Sequence, residues 1–219
     1  EGQLCRLVID GYASDGAGVA RLDGMVVFVQ GGIRGEACDV RLTHVGRSAL
    51  WGRVEEVVNP SPARIFPRCL HYTKCGGCQF RHMTYAEELR AKGQRVADAL
   101  ERVGGVKLEL PPVLGAERPE RYRNKVQFPV AEEKRGLAIG YYRPRSHDVL
   151  DAPDCLLQPL TVTALRGAVK EWMERYQVPA YGEEDGTGLI RHLYVRTNSR
   201  DQALCCLVVN GTGLPFQQE

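Results

Sequence analysis

The chain has 219 residues, 43% of them hydrophobic and 26% charged, with a formal net charge of +2. That balance is ordinary for a folded protein with material for one large or two small domains, and it excludes a disordered or fibrous chain. No stretch approaches the roughly eighteen consecutive apolar residues of a membrane span, and nothing near Glu1 resembles a signal peptide, so a cytoplasmic protein with no membrane partner is expected.

In chain order, the first sixty residues read as short strands separated by glycine turns. Gln3 to Asp10 alternates imperfectly through Leu4, Leu7 and Ile9, Gly16-Ala17-Gly18 is a turn, and Met25 to Val29 is an apolar run. Glu36 to Val45 and Ser48 to Val58 follow the glycines at 31, 32 and 35. Such punctuation predicts a small barrel of four or five strands, with Phe28 in its core. Pro60, Pro62 and Pro67 form a stiff connector. Thr84 and Glu87 then have the spacing of a capping box, in which each side chain satisfies the other's free backbone N–H. Leu89, Val96, Leu100 and Val103 continue at helical intervals, and Gly104-Gly105 ends the helix.

Beyond Pro111-Pro112, Tyr122 to Val130 and Leu137 to Arg143 read as paired strands. Val162, Leu165, Val169, Met173 and Tyr176 form a helical stripe behind Pro159, and Leu189 to Thr197 with Ala203 to Asn210 forms a second hairpin. The expected fold class is mixed: a small all-β barrel, then an α+β region. The expected divisions are 1–60 for the barrel, 61–110 for a cysteine-rich segment and helix, and 111–219 for the α+β region.

Eight cysteines are placed unevenly. Cys69, Cys75 and Cys78 cluster, Cys205 and Cys206 are adjacent, and Cys5, Cys38 and Cys155 stand alone. In a reduced compartment a tight cluster reads as metal or redox chemistry rather than disulfides. The two-residue gap between Cys75 and Cys78 is filled by Gly76 and Gly77, so the turn can direct both sulfurs inward. A closed four-thiolate site needs one more ligand. Cys155, after the Pro153-Asp154 turn and outside any predicted strand, is the best placed, whereas at least one of Cys205 and Cys206 is expected to pack as a small buried hydrophobe. A triplet plus one distant cysteine favours an iron–sulfur cluster, with a structural zinc knuckle as the alternative.

The net charge is too small to signal nucleic acid, but its distribution is uneven. Between positions 118 and 147 eight cations stand against three anions, an excess that suits phosphate contacts and equally a solvated basic face.

Several motifs now combine. Cys75-Gly76-Gly77-Cys78-Gln79, Arg121-Tyr122-Arg123-Asn124-Lys125, Gly140-Tyr141-Tyr142-Arg143-Pro144-Arg145, Asp154-Cys155 and Ile190-Arg191-His192-Leu193 run in the order seen in bacterial 23S ribosomal RNA (uracil-5-)-methyltransferases, and the chain resembles that family. Residues 1 to about 60 resemble the TRAM domain, an OB-like RNA-binding barrel, through Gly16-Ala17-Gly18-Val19-Ala20-Arg21 and Val26-Val27-Phe28-Val29. The resemblance implies that Cys69, Cys75, Cys78 and Cys155 hold a [4Fe–4S] cluster. It implies RNA, specifically 23S ribosomal RNA, as partner, with Arg21, Arg34, Arg123, Lys125, Arg143, Arg145 and Arg191 as candidate contacts. The family reaction moves a methyl group from S-adenosylmethionine to carbon 5 of a flipped-out uridine, after a cysteine thiolate adds to carbon 6.

No strand in the chain is followed by a glycine-rich turn and a helix; the nearest candidate is Asn210-Gly211-Thr212-Gly213. The expectation is therefore an N-terminal portion without the Rossmann-like methyl-donor domain, in which no residue is assigned a catalytic role, S-adenosylmethionine belongs to the full-length enzyme only, and the chain alone does not methylate RNA. Two rival readings are a non-enzymatic RNA-binding module with a structural metal site and a radical S-adenosylmethionine enzyme. The latter requires a Cys-x3-Cys-x2-Cys triplet, and the first gap here is five. The sequence does not address oligomeric state.

Overall fold

The computed structural model describes residues 1–216. These form two compact units, one comprising Glu1–Arg68 with Gln79–Gly115, the other Cys69–Cys78 with Ala116–Glu219. Ten residues of the cysteine segment thus leave the first unit and pack with the second.

The first unit is built on six strands: β1 (Leu4–Val8), β2 (Gly11–Tyr12), β3 (Gly18–Leu22), β4 (Met25–Gln30), β5 (Ala37–Val45) and β6 (Ala49–Asn59), in the order β1-β5-β6-β4-β3-β2. All neighbours are antiparallel except β4 and β6, which run parallel. β1 and β2 are one bent strand interrupted at Ile9 and Asp10. The Ile9 amide donates to Glu36 O at 2.9 Å and the Asp10 amide to Val19 O at 2.7 Å, so the bend bonds to both ends of the sheet and closes it into a barrel. Alternation along the strands sends Leu7, Ala20, Val27, Val29, Val40 and Leu50 inward, and Cys38 is fully buried with them. Gly52 is required where β5 and β6 meet, because a Cβ there would lie 2.5 Å from Val40 Cγ1.

Phe28 is not among the core residues. It is half-buried on the outer face, 5.8 Å from the ring of Trp51, because its neighbours Val27 and Val29 take the inward positions. Below the barrel lies a buried ion pair. Glu36, wholly buried, accepts from Arg64 Nη2 at 2.6 Å, from the Ile33 amide at 2.9 Å and from the Ser61 amide at 3.2 Å. Burial pushes the Glu36 carboxyl up, but these donors outweigh it and hold it below the usual carboxylate range.

Helix α1 (Tyr85–Arg102) starts at Thr84, whose side chain accepts from the Glu87 amide at 3.4 Å. The reciprocal bond of a capping box is replaced: the Thr84 amide donates to Ala63 O at 2.8 Å. Glu87 is buried and its carboxylate accepts from the Tyr12 hydroxyl at 2.8 Å and pairs with Arg90, which ties α1 to β2. The expected apolar stripe of α1 is only partly covered, with Val96 and Val103 exposed.

The second unit is a five-stranded antiparallel sheet of β7 (Lys125–Glu133), β8 (Gly136–Tyr142), β9 (Val149–Asp151), β10 (Ile190–Thr197) and β11 (Ala203–Val209), in the order β11-β10-β7-β8-β9. Helix α2 (Leu160–Arg175) packs on it, burying Val162 and Met173 against Phe128, Ile139, Ile190 and Leu193. Buried Arg166 donates from Nε to Ile139 O at 2.8 Å and pairs with Asp151, fixing the helix to β8 and β9. Gly140 has no room for a side chain, since a Cβ would lie 1.9 Å from Leu150 O.

The expectation that Cys205 or Cys206 is buried is corrected. Both are exposed, because β11 is the edge strand and most of its side chains are uncovered. The buried lone cysteine is Cys38, where burial pushes the thiol up to about 11.

Candidate functional site

The second unit brings distant Cys155 to the three thiols clustered at 69–78. Cys69, Cys75, Cys78 and Cys155 all line one small cavity, with His71, Tyr72, Arg123, Tyr141, Asp154 and Leu157. The Cys69–Cys78 loop is wound by its own backbone: the Cys75 amide donates to His71 O at 2.8 Å and the Tyr72 amide to Cys69 O at 3.2 Å. The Gly77 amide donates to Cys75 Sγ, 3.4 Å away. Burial, with the Cys78, Cys155 and Cys69 thiols nearby, pushes the Cys75 thiol above its usual value. That is what crowding of acidic groups in a poorly solvated pocket produces, and a cationic centre would reverse it. Among the described residues, no group of three or more His, Cys, Asp or Glu side chains is placed to hold a metal ion.

Two residues that sequence reasoning quoted without a role organise this cavity. Arg121 donates from Nη1 to Asp154 Oδ1 at 2.7 Å, to Cys155 O at 3.0 Å and to Gln158 O at 2.9 Å, and from Nη2 to Asp154 Oδ2 at 2.8 Å. It does so from the left-handed region, at φ 58°. A bidentate carboxylate clamp plus two carbonyls over-determines the backbone and holds the strained residue in place. Tyr141, from β8, faces Cys155 with its hydroxyl, and burial followed by that thiol pushes the phenol far above its ordinary range. The signal for Arg121 was its place in the Arg121-Tyr122-Arg123-Asn124-Lys125 motif, but its partners are more than thirty residues away. Nothing local pointed to Tyr141.

The candidate RNA contacts fall into three settings. Arg143 and Arg145 lie in the turn after β8, and Gly76 of the cysteine loop lies against Pro144 between them. Arg123 lines the thiol cavity itself, and Lys125 begins β7 with its ammonium 5.7 Å from the Tyr194 ring. Arg123 and the turn bearing Arg143 and Arg145 thus flank the cysteine loop. Arg191 lies elsewhere in the unit, in a cleft of about 470 Å³ lined by Glu132, Glu133, Asp148, Glu183, Glu184 and Asp185. It pairs there with Glu183 at 3.1 Å and stacks over Tyr181 at 4.4 Å. In the barrel unit, Arg21 is exposed on β3, and Arg34 stands 3.7 Å from Glu87.

Comparison with known proteins now bears on this arrangement. Residues 1–54 match the TRAM domain family. The chain is 41% identical to an uncharacterized RNA methyltransferase of Clostridium tetani, over 97% of this chain and 46% of that protein. It is 37% identical to one of Bacillus cereus, over 87% of this chain and 42% of that protein. Its structure matches the Pyrococcus abyssi tRNA (uracil-54, C5)-methyltransferase in complex with S-adenosyl-L-homocysteine with a TM-score of 0.67 and 22% identity, covering 96% of this chain and 47% of that one. The chain spans about half the length of the curated relatives it matches.

This structural match corrects the expected fold class. Nearly the whole chain lies on the fold of a solved methyltransferase, so the denial of a methyl-donor domain is withdrawn, and with it the expectation of an inactive N-terminal fragment. The denial had rested on one local signature, a strand, glycine turn and helix within the chain, whereas a fold is defined by long-range pairing. No helix among the described residues is long and apolar enough to cross a membrane. Residues 1–54 thus carry a TRAM domain, and the chain as a whole is similar to proteins named RNA methyltransferases.

Proposed function

We propose that this chain serves RNA (uracil-5-)-methylation in the cytoplasm, holding RNA with its barrel and with a basic region built around a four-cysteine iron–sulfur site. The observation that carries this reading is the convergence of Cys69, Cys75, Cys78 and Cys155 on one cavity, flanked by Arg123 and by the turn bearing Arg143 and Arg145. The TRAM match and the relatives named RNA methyltransferases support it.

Four thiols and no imidazole or carboxylate ligand set suit a soft centre. Zinc would draw all four sulfurs to about 2.3 Å from a single atom. A triplet of cysteines with one distant cysteine suits a cluster better than a zinc knuckle, and a [4Fe–4S] cluster held by Cys69, Cys75, Cys78 and Cys155 is the reading we adopt. Its chemistry here is structural, since methyl transfer needs no redox step: bound, it cross-links the Cys69–Cys78 loop to Cys155. Arg121 positions Cys155 through its carbonyl and Asp154, and Tyr141 offers its hydroxyl to the same sulfur. Arg143 and Arg145 of the turn after β8, with Arg123 and Lys125 before and on β7, then meet phosphates, and Arg21 contributes from the barrel. Arg34 and Arg191 belong to the same proposal, each sharing its charge with a glutamate. S-adenosylmethionine is the methyl donor of the proposed reaction, and 23S ribosomal RNA its proposed substrate.

The test is iron, sulfide and zinc content of anaerobically purified protein, with affinities for 23S ribosomal and transfer RNA transcripts measured alongside. About four irons and four sulfides per chain, with tighter binding to the ribosomal transcript, are expected. Stoichiometric zinc without sulfide would sink the cluster, and preference for transfer RNA would move the substrate.

A further inference from the structure

The barrel carries an aromatic row on its outer surface that neither the fold nor the thiol site uses. The register makes it. Phe28 on β4 stands opposite Trp51 on β6 and opposite Val19 on β3, and Trp51 stands opposite His44 on β5. Residues directly opposite on neighbouring strands share a face, and the inward face is already taken by Val27, Val29 and Leu50. The Phe28 and Trp51 rings are 5.8 Å apart and inclined by 36°, and the His44 and Trp51 rings are 5.2 Å apart and inclined by 43°. Trp51 remains 37% exposed, which is unusual for the largest apolar side chain of a small barrel.

The charges beside this row are positive and in part unspent. One step along the strands, Arg53 stands between Gln30 and Arg41, and on the other side Arg21 stands opposite Val26. Arg41 is held by Glu55 at 2.9 Å, Arg53 shares the charge of that carboxylate, and His44 lies 3.3 Å from Glu1. Arg21 makes no ion pair among the described residues.

We propose that this face stacks unpaired RNA bases on Trp51 and Phe28 while Arg21 and Arg53 hold the phosphates on either side. Rings flanked by guanidinium groups fit a single strand: every base offers a π-face, and the backbone supplies the anions. An apolar protein segment would offer these cations no anion, and a duplex keeps its bases stacked internally. The inference deepens the RNA-binding role proposed above and rests on it.

The experiment uses the full chain with Trp172→Phe, so that Trp51 is the one fluorescent indole, and a twelve-residue oligouridylate as probe. Quenching of Trp51 on addition of the oligonucleotide is expected. Trp51→Leu, which keeps apolar bulk but removes the stacking surface, should weaken binding by about 5- to 150-fold with the melting temperature unchanged. Should that variant not fold, protection of Trp51 from acrylamide by bound oligonucleotide provides the same readout on the intact ring. Binding without quenching or protection, or with undiminished affinity in Trp51→Leu, overturns the stacking face and leaves the RNA-binding reading standing. No binding of any RNA by the unaltered chain overturns both.

Discussion

The two units solve the same problem, closing a small core, by different means. The barrel unit closes through backbone: a bent first strand bonds to both ends of its sheet, and wholly buried Glu36 is satisfied by Arg64 and two amides. The second unit has a sheet covered by one helix, and beside it a ten-residue loop carried in from elsewhere in the chain. That loop is fastened to β8 and to the Cys155 segment by side chains and thiols rather than by a ladder. The difference teaches where each unit is vulnerable. The barrel should tolerate loss of any metal, whereas the thiol cavity should depend on its anchors and its occupant.

The sharpest break of this contrast is Glu36→Ala. It removes the carboxylate that Arg64 and the Ile33 and Ser61 amides share, leaving Arg64 its bond to Gly31 O, and should cost the barrel unit about 3–5 kcal/mol. Hydrogen exchange resolved by peptide should show the loss in β4 to β6 and leave β7 to β10 protected. Uniform deprotection of both units would mean that they unfold as one, and the contrast would fall.

Arg121→Ala is the counterpart in the second unit. It removes the clamp on Asp154 and the bonds to the Cys155 and Gln158 carbonyls, at about 2–3 kcal/mol. Iron retention should fall with it while barrel protection stays. Unchanged iron content in a folded variant would show that Cys155 is positioned without Arg121.

The smallest effect sharpens the comparison through pH. Burial, with Arg64 nearby, holds the His82 imidazole of the barrel unit down at about 4, against 6.5 for the free side chain. The folded unit therefore binds fewer protons than the unfolded chain below pH 6.5. The contribution is fully present above that value and is lost as pH falls from 6.5 toward 4, amounting to about 2 kcal/mol by pH 5. Acid melting should thus begin in the barrel, and His82→Gln should flatten its dependence on pH.

Much of the local structure was legible from the sequence. The strands at Met25–Gln30 and Ala37–Val45 announce themselves by apolar runs between glycines, α1 by Thr84 three residues before Glu87, and α2 by its stripe behind Pro159. These succeed because propensity, capping and turn chemistry act over a few residues. Where a partner came from a distance, the same reasoning went astray. Glu87 has the capping-box spacing, yet its carboxylate pairs with Tyr12 and Arg90, because a buried carboxylate needs stronger donors than one cap amide. Phe28 sits in an apolar run, yet faces outward, because period-two alternation gives the core to its neighbours. Cys205 and Cys206 look like core residues, yet are exposed on an edge strand.

By itself, then, the sequence determined the elements, the glycine-padded Cys75–Cys78 turn and the uneven placement of basic residues, all of which are short-range chemistry. Only the tertiary structure decided that Arg121 and Tyr141 stand behind Cys155, the fourth thiol the sequence had nominated, and that Phe28, Trp51 and His44 form one row. Each of those depends on strand register or on a side chain reaching another segment of the chain, and such contacts are selected by the closure of the whole core rather than by any neighbouring residue.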